Sequence, residues 1–199
     1  MDDTYKTILK ASEGIYKDKG SKFISLAYPV TSEDQIREIV QTIKKEHHSA
    51  RHHCFAWRLG YEKLHFRAND DGEPSSTAGK PILGQIQSYD LTDILIVVVR
   101  YFGGTLLGVS GLINAYRNAA LDAINQAEIV EQLVEQHLLI EFGYEAMNEV
   151  MKIFKDEKLP QIDPKFDLHC QIQTQIRLSE LLRIEEGLKK VDGLKINHI

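Results

Sequence analysis

The residues with the clearest chemical potential follow a strongly apolar run near the middle of the chain. Arg100 ends that run, and four glycines follow within the nine residues from 103 to 111, just before a helical pattern begins. A glycine-rich turn between a strand and a helix directs free backbone N–H groups and the positive end of the helix dipole at one point. The segment therefore predicts a site for a negatively charged group, such as a phosphodiester.

The predicted anion site combines these backbone amides with nearby basic and hydroxyl side chains. Its expected members are Lys80, Arg100, Gly103, Gly104, Gly108, Ser110, Gly111 and Arg117. An alternative stays open, in which the glycines only let a helix pack closely on a strand.

Two known motifs, the nucleotide-binding P-loop and the nucleophile elbow of hydrolases, match this segment only in part. The spacing of Gly103, Gly108 and Ser110 matches the phosphate-binding P-loop, but Val109 occupies the position of its lysine. The stretch from Gly108 to Leu112 lacks the final glycine of the Gly-x-Ser-x-Gly nucleophile elbow. The sequence therefore argues against a P-loop nucleoside triphosphatase and against a serine hydrolase of that kind.

A polar loop of 13 residues, 69–81, holds the second group of candidate residues. Loops of this length are long for a simple connection, and long ordered loops are often functional. We expect the wall opposite the anion site to contain His53, Asp70, Asp71, Glu73 and Thr77. Turn formation is the simpler alternative, in which Glu73 hydrogen-bonds backbone amides and holds the loop shut.

Histidines are concentrated before this loop, since five of the eight lie between His47 and His65. Histidine and carboxylate ligands together are typical of hydrolytic metal sites. Adjacent strand residues point to opposite faces, however, so only one of His52 and His53 can join a single site. The sequence favours a protein without metal or cofactor. The alternative is a weak metal-dependent, peptidase-like hydrolase that uses the histidines and acids of residues 52–73.

Composition limits the function classes. The 199 residues carry a net charge of −5, so any contact with nucleic acid must come from a local basic patch. No apolar run approaches the roughly 18 residues of a membrane span. The two cysteines, Cys54 and Cys170, lie in different halves, which argues against a disulfide framework and favours a reduced, cytoplasmic protein without a membrane contact.

Hydrophobic periodicity predicts the elements that position these residues. The six consecutive aliphatic residues at 94–99 predict a strand buried on both faces in the middle of a sheet. Around it we predict two strands within 12–30, a strand at 51–60 continued at 64–67, and helices at 33–48, 77–87 and 112–127.

The pattern changes after Ile129. Strands are predicted at 133–142, 161–163, 168–178 and 194–199, and helices at 144–158 and 179–190. The order β-α-β-β-α-β is that of the ferredoxin-like split motif. The sequence therefore predicts an α+β protein of two domains, residues 1–129 and 130–199.

Several motifs between residues 51 and 117 resemble the IMPACT/YigZ family, also called UPF0029. They are Asn69-Asp70-Asp71-Gly72-Glu73-Pro74, Thr77-Ala78-Gly79-x-Pro81, Val99-Arg100-Tyr101-Phe102-Gly103-Gly104-x-x-Leu107-Gly108, and Gly111-Leu112-x-x-Ala115-Tyr116. The last 70 residues resemble the small domain appended in bacterial members. Two positions depart from the family pattern, with Ser110 in place of glycine and Asn114 in place of arginine.

The resemblance implies a fold for each domain. The N-terminal domain would have the ribosomal-protein-S5 domain-2-like fold, as in domain IV of the translocating elongation factor. The C-terminal domain would be ferredoxin-like and similar to domain V of that factor. Eukaryotic relatives are implied to regulate translation by competing for a protein activator of a stress kinase.

These observations together predict a translation-linked regulatory binding module. It would recognise RNA, the ribosome or a protein of the translation machinery through the anion-binding, glycine-rich cleft. A protein-interaction adaptor that uses Tyr101 and Phe102 is a further alternative.

Overall fold

The structure is a computed structural model, and it describes residues 3–199. The chain divides into two compact units. One unit contains Tyr5–Gln132, and the other contains Leu133–Ile199 together with Asp3 and Thr4. Both units combine helices with sheet, so the chain is a mixed α/β protein. Among the described residues, no helix has the length and apolarity needed to cross a membrane.

The first part of the chain forms two sheets and three helices. Its elements are β1 (Thr4–Ile8), β2 (Ser12–Asp18), β3 (Ser21–Pro29), α1 (Glu33–Glu46), β4 (His52–Leu59), β5 (His65–Asn69), α2 (Gly79–Ser88), β6 (Ile94–Tyr101), α3 (Gly108–Asn125) and β7 (Ile129–Leu133). Strands β1 and β7 form a two-stranded sheet, and the other five form an antiparallel sheet in the order β2-β3-β6-β4-β5.

Strand β6 lies in the centre of the five-stranded sheet, as its sequence predicts. Alternate side chains, starting with Ile94, join the core that contains α2 and α3, and the others, starting with Leu95, join the core that contains α1. All six aliphatic residues are fully buried. Burial of such a side chain contributes about 1.5–3 kcal/mol. This strand therefore fixes the position of the residues at its carboxyl end.

Two hydroxyl residues, Thr31 and Ser32, precede α1 and have different roles. The Ser32 hydroxyl accepts a hydrogen bond from the Gln35 backbone N–H at 3.3 Å, and the Gln35 side-chain oxygen accepts from the Thr31 N–H at 2.9 Å. This reciprocal arrangement resembles a capping box, so Ser32 is the N-cap.

The second unit contains four strands, two helices and a short 3₁₀ turn at Tyr144–Ala146. Its elements are β8 (Glu135–Gly143), α4 (Met147–Asp156), β9 (Ile162–Lys165), β10 (His169–Arg177), α5 (Leu178–Leu188) and β11 (Lys195–His198). The strands form an antiparallel sheet in the order β11-β8-β10-β9. Apolar residues of the sheet, α4 and α5 form one core, which includes Phe154 and Ile172.

One local prediction from the sequence is wrong. Residues 64–67 do not continue β4. Gly60 and Lys63 have positive φ angles of 75° and 62°, and they reverse the chain so that β5 pairs antiparallel with β4. The helix predicted at 179–190 is α5, which begins at Leu178, whose N–H donates to the Val134 carbonyl at 2.8 Å.

Gly84 lies in the interior of α2, where an added Cβ would have no heavy atom within 4 Å. Alanine is favoured over glycine in a helix interior by about 0.8–1 kcal/mol. We expect Gly84→Ala to raise the free energy of unfolding by about 1 kcal/mol. Urea denaturation followed by fluorescence of Trp57, the single tryptophan, reports on this unit.

The matched control for this variant is Gly14→Ala. An added Cβ at Gly14 would lie 2.4 Å from the Ala123 backbone nitrogen, so this variant should be less stable than the wild type. A Gly84→Ala protein that is no more stable than the wild type contradicts the prediction.

Candidate functional site

A cleft of about 480 Å³ lies within the N-terminal unit, beside the carboxyl end of β6. Three segments form its walls: the start of β4, the loop between β5 and α2, and the segment from Phe102 to Leu112. The lining residues are Arg51, His52, Gly72, Glu73, Pro74, Arg100, Phe102, Leu106, Leu107, Gly108, Val109 and Leu112. Cavities of this size hold small ligands or one unit of a polymer.

A buried carboxylate, Glu73, lies at the centre of the cleft's polar groups. Its Oε1 accepts hydrogen bonds from Arg100 Nη1 at 2.6 Å and from the Tyr116 hydroxyl at 2.8 Å. The Cys54 sulfur lies 3.3 Å from the same hydroxyl, and its thiol donates to the Asp70 carbonyl oxygen at 3.0 Å. Burial raises the pKa of both Tyr116 and Cys54, so the phenol and the thiol are neutral at physiological pH.

Arg100 is only 5% exposed, although it carries a charge. One guanidinium nitrogen is paired with Glu73, but Nε has no hydrogen-bond partner among the described residues. Its guanidinium carbon lies 5.7 Å from the centre of the Phe102 ring, and that of Arg51 lies 5.5 Å from the same ring. The cleft therefore contains two guanidinium groups and one carboxylate, which leaves it with an excess of positive charge.

His52 supplies a hydrogen-bond acceptor. Its Nδ1 lies 2.9 Å from the Asp71 carbonyl oxygen, and because a carbonyl can only accept, Nδ1 must donate. In the neutral ring, Nε2 then carries the free lone pair. This nitrogen lies 3.9 Å from Glu73 Oε1. The cleft therefore presents two neighbouring acceptors beside its arginine donors.

Asp70 holds the loop in place and does not line the cleft. Its Oδ1 accepts from the N–H groups of Ala78 and Gly79, and its Oδ2 accepts from that of Ser76, at 3.0, 2.8 and 2.8 Å. The Thr77 hydroxyl donates to the Pro74 carbonyl at 2.7 Å. Both side chains fix the start of α2 against the loop that carries Glu73.

Asp71 and His53 also lie outside the lining. Asp71 accepts from the His53 backbone N–H at 2.7 Å and from Lys44 Nζ at 2.8 Å. Burial alone would raise the pKa of Asp71, but the hydrogen bonds from Lys44 and His53 prevail and lower it. The His53 ring contacts the His47 carbonyl at 3.1 Å, on the side of the sheet that α1 covers. The histidine that lines the cleft is therefore His52.

The structure brings only part of the predicted anion set together. Arg100 and Gly108 line the cleft. Lys80 is exposed on α2, and Arg117 is exposed on α3, where it contacts Asn114 at 3.5 Å. The remaining members lie beside the cleft without lining it: Gly103, Gly104, Ser110 and Gly111.

Gly103 allows a close approach between two turns, which differs from the helix-on-strand packing that the sequence left as an alternative. An added Cβ would lie 1.9 Å from the Gly20 carbonyl carbon, and the Gly103 N–H donates to the Ser21 hydroxyl at 3.2 Å. Gly104 and Gly108 have positive φ angles of 87° and 72° and nothing near an added Cβ, so they are needed for the turn itself.

Sequence reasoning missed Arg51 and most of the apolar lining, and it assigned His53 instead of His52 to the cleft wall. Arg51 and His52 reach the cleft because β4 pairs with β6: His52 is opposite Arg100, and the Arg51 N–H donates to the Arg100 carbonyl at 3.1 Å. Knowledge of the strand order would have placed both residues at the cleft, but the sequence of each segment alone does not give that order.

The metal-dependent alternative lacks a ligand set. Within residues 3–199, no three histidine, cysteine, aspartate or glutamate side chains converge in a way that could hold a metal ion. The oxygens of Asp70 and Asp71 are bonded to backbone amides and Lys44, and Glu73 Oε1 is bonded to Arg100 and Tyr116.

Comparisons with known proteins agree with the motifs. The Impact N-terminal domain profile matches residues 19–124. The IMPACT family member YvyE of Bacillus subtilis is 30% identical over 192 residues, which cover 96% of this chain and 88% of YvyE. The IMPACT family member YigZ of Escherichia coli is 41% identical over 112 residues, which cover 54% of each protein.

A solved structure is similar over the whole chain. The crystal structure of a protein described as hypothetical aligns with a TM-score of 0.75 and covers 100% of this chain and 98% of its own. Because the sequence identity is 24%, this similarity shows a shared fold alone. The domain match and the nearly full-length similarity to YvyE establish that this chain belongs to the IMPACT family.

Proposed function

We propose that this chain is a translation-linked regulatory module whose cleft binds single-stranded RNA, free or on the ribosome. The translational link rests on membership of the IMPACT family, whose eukaryotic members are implied to regulate translation. The RNA link rests on the charge and the lining of the cleft.

The observation that carries the proposal is the state of Arg100. Arg100 lines the cleft and is 5% exposed, and Glu73 bonds only one of its guanidinium nitrogens, so a phosphate oxygen of a bound ligand would add a charge-assisted hydrogen bond. Arg51 is exposed beside it and would contact the same or an adjacent phosphate. Among the described residues, no side chain caps the 18-residue helix α3, so its first amides add a positive potential.

The apolar lining supports a single strand over a duplex. Phe102, Leu106 and Val109 are 38%, 82% and 60% exposed around the cleft. Single-stranded RNA offers unpaired bases that stack on aromatic side chains and on guanidinium planes. A site that recognised only the phosphates of a duplex would have no use for exposed leucine and valine side chains.

The test compares Arg51→Ala with Arg117→Ala, two exposed arginines of which only Arg51 lines the cleft. Binding of a labelled single-stranded RNA is followed by fluorescence anisotropy at several salt concentrations. One lost phosphate contact reduces the log–log salt slope by about 0.7. We expect Arg51→Ala to show that reduction and a weaker affinity, and Arg117→Ala to match the wild type.

Failure of the wild-type chain to bind RNA at low salt contradicts the proposal, and so does equal loss in the two variants. The adaptor alternative would be favoured by a different result. In that case the chain binds no RNA but captures a protein of the translation machinery, and Phe102→Ala abolishes the capture.

The domain folds belong to the same proposal. We assign residues 1–129 to the ribosomal-protein-S5 domain-2-like fold and residues 130–199 to the ferredoxin-like fold. The spatial order β11-β8-β10-β9, together with the β-α-β-β-α-β succession, supports the second assignment.

A further inference from the structure

We infer that the cleft selects guanine among the bases of single-stranded RNA. This inference rests on the proposed RNA-binding function and adds the identity of the base. It follows from the hydrogen-bonding groups that the cleft leaves open.

Two of these groups are acceptors. Glu73 Oε1 is bonded to Arg100 and Tyr116, while Oε2 has no partner among the described residues. The second acceptor is His52 Nε2, because Nδ1 is fixed as a donor to the Asp71 carbonyl. Glu73 and His52 approach each other to 3.9 Å, so a single base edge can reach both.

The other open groups are donors. The guanidinium of Arg51 is exposed and makes no hydrogen bond with any described residue, and Glu73 bonds only one guanidinium nitrogen of Arg100; both residues line the same cleft. The cleft therefore combines two adjacent acceptors with guanidinium donors. A ligand that satisfies all of them must carry two neighbouring donors and at least one acceptor.

Guanine is the base with that pattern. Its Watson–Crick edge has the N1–H and N2–H donors side by side and the O6 acceptor next to them. Adenine, cytosine and uracil each have a single donor group on this edge, so each would leave Glu73 or His52 unpaired. A site built from buried polar groups rejects a ligand that leaves them unpaired.

The remaining walls are compatible with a flat base. Phe102 carries the two guanidinium groups near its ring, and Pro74, Leu107 and Leu112 complete an apolar lining. We place the base in this part of the cleft, with O6 toward an arginine, N1–H toward Glu73 and N2–H toward His52.

The test uses short uridine-rich RNAs that carry one central guanosine, adenosine, cytidine or inosine. We expect guanosine to increase the affinity about tenfold over adenosine or cytidine. Inosine lacks the N2 amino group and should fall between them. A 7-deazaguanosine keeps the Watson–Crick edge and should bind as well as guanosine.

His52→Ala provides the matched variant. It removes the proposed acceptor for N2–H, so guanosine and inosine should bind equally, while the salt slope stays that of the wild type. The control is His65→Ala, which changes an exposed histidine on β5, away from the cleft, and should retain the preference for guanosine.

A second measurement uses the free nucleosides guanosine, inosine and adenosine with the full chain, followed by ligand-observed NMR. RNA binding without any base preference would overturn the guanine inference and leave the proposed function in place. Guanosine binding in the absence of RNA binding would overturn the proposed function and retain the base site. If neither RNA nor guanosine binds, both are wrong.

Discussion

Replacing Glu73 by alanine is expected to lower the free energy of unfolding of the N-terminal unit by about 3–5 kcal/mol. The substitution leaves the Arg100 guanidinium at 5% exposure without its carboxylate, and it removes the acceptor of the buried Tyr116 hydroxyl. A buried charge that loses its partner is far more destabilising than the loss of a surface pair. Urea denaturation followed by Trp57 fluorescence measures the change.

Two controls separate the buried charge from a general loss of side-chain packing. The double variant Glu73→Ala/Arg100→Leu removes both charges and should be more stable than Glu73→Ala alone. Arg37→Ala breaks an exposed pair with Asp34 in the same unit and should cost no more than about 1 kcal/mol. A Glu73→Ala protein within 1 kcal/mol of the wild type would show that Arg100 is stably hydrated without its partner.

The elements that were predictable are those whose signal is local. Six consecutive aliphatic residues predict the buried central strand, and alternation along residues 51–60 correctly separates the Trp57 face from the Ala56 face. The reversal after Gly60 was missed because it depends on a positive φ at Lys63, and lysine carries no composition signal for that conformation.

The site was predictable only in part, because it depends on which segments become neighbours. The motifs indicated Arg100 and Glu73, and these side chains are in contact. Alternation also showed that His52 and His53 point to opposite faces. Which of these faces carries the cleft is set by the packing of α3 and the 102–107 segment on the sheet. Lys80 and Arg117 carry suitable charges, but the packing places both of them outside the lining.

Asp70→Ala is expected to lower the free energy of unfolding by about 3 kcal/mol, because three backbone N–H groups lose one carboxylate. Replacement of an ordinary helix cap costs about 0.5–2 kcal/mol. Here the same side chain also holds the loop in which Glu73 lies. The same urea denaturation, combined with amide hydrogen exchange at Ser76, Ala78 and Gly79, measures the global and the local effect.

Asp70→Asn keeps one acceptor oxygen and should lose less stability than Asp70→Ala. Asp71→Ala is the neighbouring comparison: it removes one backbone contact and one exposed lysine contact, for a cost of about 1 kcal/mol. Equal losses at Asp70 and Asp71 would contradict a special role for Asp70. If Asp70→Ala is more destabilising than Asp71→Ala, the position of Glu73 depends on a residue that does not line the cleft. Asp70→Asn should then weaken the preference for guanosine at the concentrations where the protein is still folded.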